Sequence, residues 1–559
     1  MAPRYLRAAW IPLLAVSAPL AAQGRTWALT NARIETVSGP VIPRGTIVIR
    51  DGLIAAVGPG VQVPANAQVI DLAGKTVSPG LIDLTSTIGL PSATEAAGQG
   101  GGGGGGRFGG GGRLNPMDAD RAVAEELTGG TSELKAARES GVTTLLVAPN
   151  RGLFRGLSAL ITAGDTLDPH AVIKAPVAEH VGYHGAGFGT YPGSLMGVIA
   201  FQRQTLYDAA HYGMVRDRWR SDPRGAERPA HDAGLEALVP VVRGELPVFI
   251  DARNENELRR AARLAKEHNL KMVLVGAVEG WRALDAVQGL GLAVAVNFPQ
   301  PSQVTGWKYR VGLVRTPGDS TAVEAEARKL IEGNPAALHA AGVRFALTSG
   351  GTGGATYLGN IRKAIDAGLP ADVALQAATI RAAELAGMER ALGSIESGKI
   401  ANLVVSQGPL LGDSGRVEMV FVDGKRYDAP PPAARGNAGG RGAAGGGGAG
   451  GPGGGGAAVQ VAGTWALVSE SPQGTNEGTL TVTQNGATLT GTMSTVQFGS
   501  SPISDGRVVG RRMSWALTLN FGGQEFTLTY SGQVDGNRIS GTVTAGEFGS
   551  FPFTGEKRP

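Results

Sequence analysis

Apolar and polar residues alternate in short runs near the start of the chain: Trp27 to Ala32, Thr46 to Arg50, Leu53 to Val57 and Gln68 to Asp71, punctuated by Asp51-Gly52 and Gly58-Pro59. Period-two alternation bounded by turn residues predicts a hairpin-rich β segment. From Glu133 the pattern changes. Helical stretches precede unbroken apolar runs: Leu134 to Ser140 before Val142 to Val147, Glu255 to His268 before Met272 to Val275, and Asn334 to Ala341 before Val343 to Thr348. Such units predict parallel strands joined by crossover helices, and the span suits a β/α barrel better than an open sheet, a choice that periodicity alone does not make. Tyr357 to Asp366, Ala371 to Ala378 and Arg381 to Ala386 read as a closing helical run. Alternation returns at Ala401 to Ser406 and Val417 to Val422, ending in Asp423-Gly424. The β segments on the two flanks of the barrel are expected to pair into one small domain.

Near the end of the chain the pattern is β throughout. Thr479 to Thr483 and Thr488 to Thr492 flank Asn485-Gly486, Trp515 to Asn520 and Glu525 to Tyr530 flank Gly522-Gly523, and a third turn falls at Asp535-Gly536. Successive hairpins predict an antiparallel barrel or sandwich over residues 459–559. Its opening Gly463-Thr464-Trp465 is similar to the G-x-W start of lipocalin-like barrels. A Gly/Pro/Ala-rich stretch at 429–458 reads as a flexible linker, and a second glycine tract fills 98–113.

Composition narrows the class. The 559 residues are 42% hydrophobic and 18% charged, with mean hydropathy near zero, which excludes a disordered or polytopic membrane chain. No cysteine is present, so disulfides, thiol nucleophiles and thiolate metal ligands are excluded. The net charge is +4 and includes Arg4 and Arg7. No dense basic stripe accompanies it, which argues against a nucleic-acid partner. Those two arginines precede an apolar run from Ala8 to Leu20 and the small pair Ala21 and Ala22, the pattern of a secretory signal peptide over residues 1–22. An exported protein, periplasmic or extracellular, with no membrane span after leader cleavage is expected.

The run Val77-Ser78-Pro79-Gly80-Leu81-Ile82-Asp83, where the first β segment hands over to the barrel, resembles the opening motif of the amidohydrolase superfamily, most closely its imidazolonepropionase-like and dihydroorotase-like branches. Leu246-Pro247-Val248, Glu279-Gly280-Trp281 and Ala346-Leu347-Thr348 follow in order, and Gly393-Ser394-Ile395-Glu396-Ser397-Gly398-Lys399-Ile400-Ala401-Asn402-Leu403-Val404-Val405 matches the closing motif. The resemblance implies a metal-bearing, TIM-like (β/α)8 barrel over 78–392 with a composite β-sandwich from 26–77 and 393–428. The chemistry it implies is metal-assisted hydrolysis of carbon-nitrogen bonds in cyclic amides, imides or N-blocked dipeptides. A divalent ion lowers the pKa of bound water and an aspartate shuttles the proton. Dimers are common in the family, so a homodimer is compatible with it.

At the positions that carry this chemistry the sequence departs from the pattern. The first strand continues Asp83-Leu84-Thr85-Ser86-Thr87, with Thr85 and Thr87 where the family has histidines. The fifth strand reads Asp251-Ala252-Arg253, the sixth-strand histidine falls on Gly276, and the catalytic aspartate of the eighth strand falls on Gly350. Threonine is a poor zinc ligand and glycine supplies none. Glu179 is the nearest candidate for the fourth-strand ligand. His180 and His184, spaced four apart, could form a substitute metal or acid/base pair. Asp251, Arg253 and Glu279 are expected near the barrel mouth, where an Asp beside an Arg forms either a plain ion pair that fills the space of lost ligands or part of a ligand-binding pocket. Arg216 to Asp232, dense in Arg, Asp and Pro, is expected to be a solvated loop.

Two functions follow. One is an exported amidohydrolase-like protein without catalysis or cofactor, binding a small molecule or protein partner. The alternative is an active amidohydrolase whose site, zinc included, was rebuilt from Asp251, Glu179, His180 and His184.

Overall fold

The structure, a computed structural model, describes residues 25–90, 117–150, 152–183, 191–192, 194–225, 227–298, 319–430, 459–471, 474–495, 499–521, 524–544 and 550–558. The expected signal peptide, the 98–113 glycine tract, His184 and nearly all of the linker lie outside these residues.

The first strands are β1 (Trp27–Ile34), β2 (Ile42–Arg50), β3 (Leu53–Gly58), β4 (Gln68–Asp71) and β5 (Lys75–Pro79). Those from the far flank of the barrel are β16 (Leu403–Gln407), β17 (Arg416–Val422) and β18 (Lys425–Asp428). They join in the order β18-β17-β16-β5-β1-β2-β3, with β4 also on β1. The seam between the flanks is formed by the two family-like motifs themselves. Val77, Ser78 and Pro79 lie opposite Val405, Val404 and Leu403 in antiparallel register, and Gly80 N–H donates to the Asn402 carbonyl at 2.9 Å. The strands form one continuous eight-stranded sheet that folds over on itself, with the rings of Trp27 on β1 and Phe421 on β17 6.0 Å apart although two strands lie between them. Its apolar residues from both flanks, among them Trp27, Ile34, Ile49, Leu403 and Phe421, share one core. Each such large side chain contributes roughly 1.5–3 kcal/mol on burial.

The barrel strands are β6 (Leu81–Ser86), β7 (Val142–Val147), β8 (Phe154–Leu157), β9 (Ala159–Thr162), β10 (Val172–Lys174), β11 (Glu179–Val181), β12 (Val248–Ala252), β13 (Met272–Gly276), β14 (Gly291–Ala295) and β15 (Ala346–Thr348). From β11 to β15 neighbouring strands are parallel, as are β6 and β7. The third position departs from the expected parallel order. β8 and β9, joined at Ser158, run antiparallel to β7 on one side and to β10 and β11 on the other. A parallel crossover needs about a dozen residues or more, and only residues 148–153 separate β7 from β8, so the chain turns back directly.

The helices are α1 (Thr131–Glu139), α2 (Leu195–Ser221), α3 (Ala233–Val242), α4 (Glu255–His268), α5 (Leu284–Val287), α6 (Asp319–Glu332), α7 (Asn334–Ala340), α8 (Gly354–Asp366), α9 (Ala371–Ala377) and α10 (Ile380–Leu385). The expected loop from Arg216 is helical as far as Ser221. Asp222-Pro223 ends α2, since the residue before proline is driven out of the helical region. Among the described residues no helix is long and apolar enough to cross a membrane.

The chain ends in eight strands: β19 (Gly463–Ser471), β20 (Gly474–Asn485), β21 (Thr488–Thr495), β22 (Gly499–Val509), β23 (Arg512–Phe521), β24 (Gln524–Asp535), β25 (Arg538–Thr544) and β26 (Ser550–Lys557). Pairing of β26 back onto β19 closes them into a barrel, which decides between the barrel and the sandwich and leaves no sheet edge. Trp465, Trp515, Tyr530 and Phe553 are buried in its core, with the rings of Trp515 and Tyr530 stacked at 4.8 Å.

Candidate functional site

Catalytic groups of a β/α barrel are carried at the C-terminal ends of its strands, and there this chain places Asp251 on β12 and His180 on β11. Facing them is Arg155. Because β8 runs antiparallel, with Phe154 opposite Val181, its first residues lie at the end of the barrel where the parallel strands finish. Arg155 is 6% exposed. It donates from Nη1 to Asp251 Oδ2 at 2.6 Å and from Nε to the Gly152 carbonyl at 3.1 Å. The expected ion pair of Asp251 therefore exists, but its partner is Arg155 and not the neighbouring Arg253. Burial raises the Asp251 pKa, and the Arg155 guanidinium, aided by Arg253, outweighs that and holds it below the ordinary value.

His180 is 6% exposed, with its ring 5.4 Å from that of Phe249, a residue of the barrel-interior cluster. Desolvation lowers its pKa to about 3, so the imidazole is neutral across the physiological range. Its Nε2 is buried without a hydrogen-bond partner among the described residues.

Glu179 does not join this group. Adjacent residues on a strand point to opposite faces, and its Oε1 accepts from Gly156 N–H at 3.1 Å while Oε2 has no partner among the described residues. Burial drives its pKa well above the ordinary carboxyl value. The expected set of Asp251, Glu179 and His180 is thus divided between two faces of β11, and its fourth member, His184, lies outside the described residues.

Glu279 is also withdrawn from the mouth. It is fully buried and accepts from Glu255 N–H at 3.0 Å, so its carboxylate serves the exposed N–H groups at the start of α4, where negative charge is favoured. The same helix start uses Asn254 and Glu257 in a capping box. Glu257 Oε2 accepts from the Arg253 and Asn254 N–H groups at 2.7 and 3.4 Å.

Gly276 and Gly350 are the positions at which the resemblance leads us to expect the sixth-strand ligand and the eighth-strand aspartate. Gly276 has φ +102°, and a Cβ there would lie 3.0 Å from Arg253 Cγ. Gly350 has φ +64°, and its Cβ would lie 2.8 Å from Asn297 Cγ. Both backbones disfavour any side chain, and the space a ligand would occupy is taken by Arg253 and Asn297.

The remaining first-strand positions are used to close the barrel. Asp83 Oδ1 accepts from Thr348 Oγ1 at 2.7 Å, from Ser349 N–H at 2.9 Å and from Thr85 N–H at 3.2 Å. The Thr85 and Thr348 hydroxyls are 2.6 Å apart. Tyr357 OH donates to the Leu347 carbonyl at 2.9 Å. This clasp stitches β6 to β15, and Thr87 beyond it is exposed. Replacing Asp83 by asparagine keeps an acceptor but removes the charge that strengthens these bonds. It should lower the unfolding free energy by roughly 1–1.5 kcal/mol, read as a shift of the urea midpoint.

The zinc that the fold family implies does not fit these residues. Two ligand positions hold hydroxyls, of which Thr85 is bonded into the clasp. Two hold glycines backed by other side chains, the fifth-strand carboxylate is held by a guanidinium, and the Glu179 carboxyl lies on the other face of its strand, bonded to Gly156 N–H. Among the described residues no group of three or more histidines and carboxylates is arranged to hold a metal ion.

Arg155 and Asn297 were not legible as site residues. The signal for Arg155 is a lone charge inside the apolar run Leu153-Phe154-Arg155-Gly156-Leu157; Asn297 has no comparable mark.

The Amidohydrolase family model matches residues 311–427. An imidazolonepropionase of Symbiobacterium thermophilum is 27% identical over 404 residues, covering 66% of this chain and 85% of that protein. Imidazolonepropionases of Vibrio cholerae are 30% identical over 158 residues, 26% of this chain and 39% of theirs. A solved amidohydrolase structure from Thermotoga maritima superposes with a TM-score of 0.59 at 20% identity, covering 72% of this chain and all of that one; that likeness is one of fold.

Proposed function

Because the chain belongs to the amidohydrolase superfamily, we propose that it is an exported member in which the hydrolytic centre has been converted into a non-catalytic binding site. The observation that carries this reading is the 2.6 Å pair between Arg155 and Asp251. A guanidinium fixed on the carboxylate of the fifth-strand position puts positive charge where a divalent cation would have to sit, and repels it. Without a metal-bound water, and with glycine in place of the aspartate that would take its proton, neither half of the family's hydrolysis has a group to perform it. Export is read from the charged, then apolar, then small-residue pattern of residues 1–22, and cell fractionation would test it.

Elemental analysis of protein purified without chelator tests the main reading. The expected result is zinc, manganese and iron far below one ion per chain, with no hydrolysis of cyclic amides or N-acyl dipeptides. Near-stoichiometric metal that disappears in Asp251→Ala would overturn it.

A further inference from the structure

Among the described residues, one cation at the mouth has no ion-pair partner. Asp251 is matched by Arg155. The carboxylates that surround the start of α4 are already engaged: Glu257 by the N–H groups of Arg253 and Asn254, Glu279 by that of Glu255, and Glu255 by Arg259 Nε at 3.2 Å. Arg253 remains. It is exposed, its side chain passes over Gly276, and among the described residues its guanidinium forms no ion pair. Close by, the buried His180 Nε2 reaches no partner. A buried polar atom without a partner costs about 1–3 kcal/mol, a cost that a bound polar group would relieve.

Resting on the non-catalytic reading of the same mouth, we infer that this end of the barrel binds a small organic carboxylate, with Arg253 as the principal cation and His180 Nε2 as a polar contact. The residues involved stand at or beside former metal-ligand positions, so the site would have arisen by exchange of a cation and its ligands for a cation that holds an anion. Arg253 is suited to the task because its planar fork matches a carboxylate. Asp251 limits affinity by repelling the same anion.

The test is titration of the full-length mature protein with N-acetylglycine and, in parallel, with the neutral N-acetylglycinamide, followed by ligand-observed NMR. Saturable binding of the acid with Kd on the order of 1 mM or tighter, and at least about tenfold weaker binding of the amide, is expected. Arg253→Gln, a change at an exposed side chain, should weaken the acid about tenfold, and Asp251→Asn should tighten it by a similar factor. No saturable binding, equal binding of acid and amide, or binding unaffected by Arg253→Gln would overturn the inference. The same samples separate it from the reading on which it rests: cleavage of N-acetylglycine to acetate and glycine refutes the non-catalytic function, whereas intact but unbound N-acetylglycine refutes only the carboxylate site.

Discussion

Asp251→Ala should lower the unfolding free energy by about 2–3 kcal/mol. Removing one partner of a buried ion pair typically costs about 3–5 kcal/mol because the other charge is left uncompensated. Here the stranded group is Arg155, whose side chain is only 7% exposed. The Asp251 side chain is 34% exposed, so water already screens the pair, and the lower figure follows. Replacing both groups together, Arg155→Met with Asp251→Leu, leaves no orphaned charge and should cost clearly less than the sum of the single changes, with a coupling of about 1–2 kcal/mol. Chemical denaturation of the four proteins measures this. Additive single changes would mean that the guanidinium and carboxylate do not depend on each other. The proposed displacement of a cation by Arg155 would then lose its energetic support.

The architecture was largely written in local patterns, and the site was not. The head motif at Val77 to Asp83 and the tail motif at Ala401 to Val405 are distant in the chain, yet their likeness to known motifs anticipated the seam in which Ser78 lies opposite Val404. Helix α4 spans Glu255–His268, the stretch that the sequence pattern marked as helical, and Asn254 with Glu257 caps its start. What local pattern cannot supply is strand direction and register. The apolar run around β8 and β9 is equally compatible with a parallel or an antiparallel strand, and only the antiparallel choice brings Arg155 to Asp251 across 96 residues of sequence. In the same way Glu179 and His180 look like neighbours in the chain but face opposite ways, because a one-residue step along a strand reverses the face. Glu279 reads as a free acid at a strand end, until the fold sets it against the Glu255 N–H. That Gly276 and Gly350 offer no side chain was legible. That Arg253 and Asn297 had filled the space was not, since packing between strand ends leaves no periodic trace.

His180 should make the protein acid-labile in a way that a single substitution removes. In the folded protein desolvation holds its pKa at about 3, against an ordinary value of 6.5. The folded state therefore refuses a proton that the unfolded chain accepts. The contribution to stability is complete above pH 6.5 and is lost progressively as the pH falls toward the folded value. Each unit of that interval is worth about 1.4 kcal/mol, so near pH 4 the accumulated loss is about 3 kcal/mol. His180→Leu keeps a side chain of similar bulk against Phe249 and carries no titrating group. At about pH 7.5 its stability should lie within roughly 1 kcal/mol of the parent, while near pH 4 it should be the more stable protein by about 2–3 kcal/mol. The difference between the two curves is the quantity to read, because carboxylates such as Asp251 that are ionised in the fold weaken both proteins alike as they take up protons. Curves that stay parallel from about pH 7.5 to pH 4 would show that His180 can be protonated in place. It would then be a solvated or charged group, incompatible with a neutral imidazole beneath an anion held by Arg253.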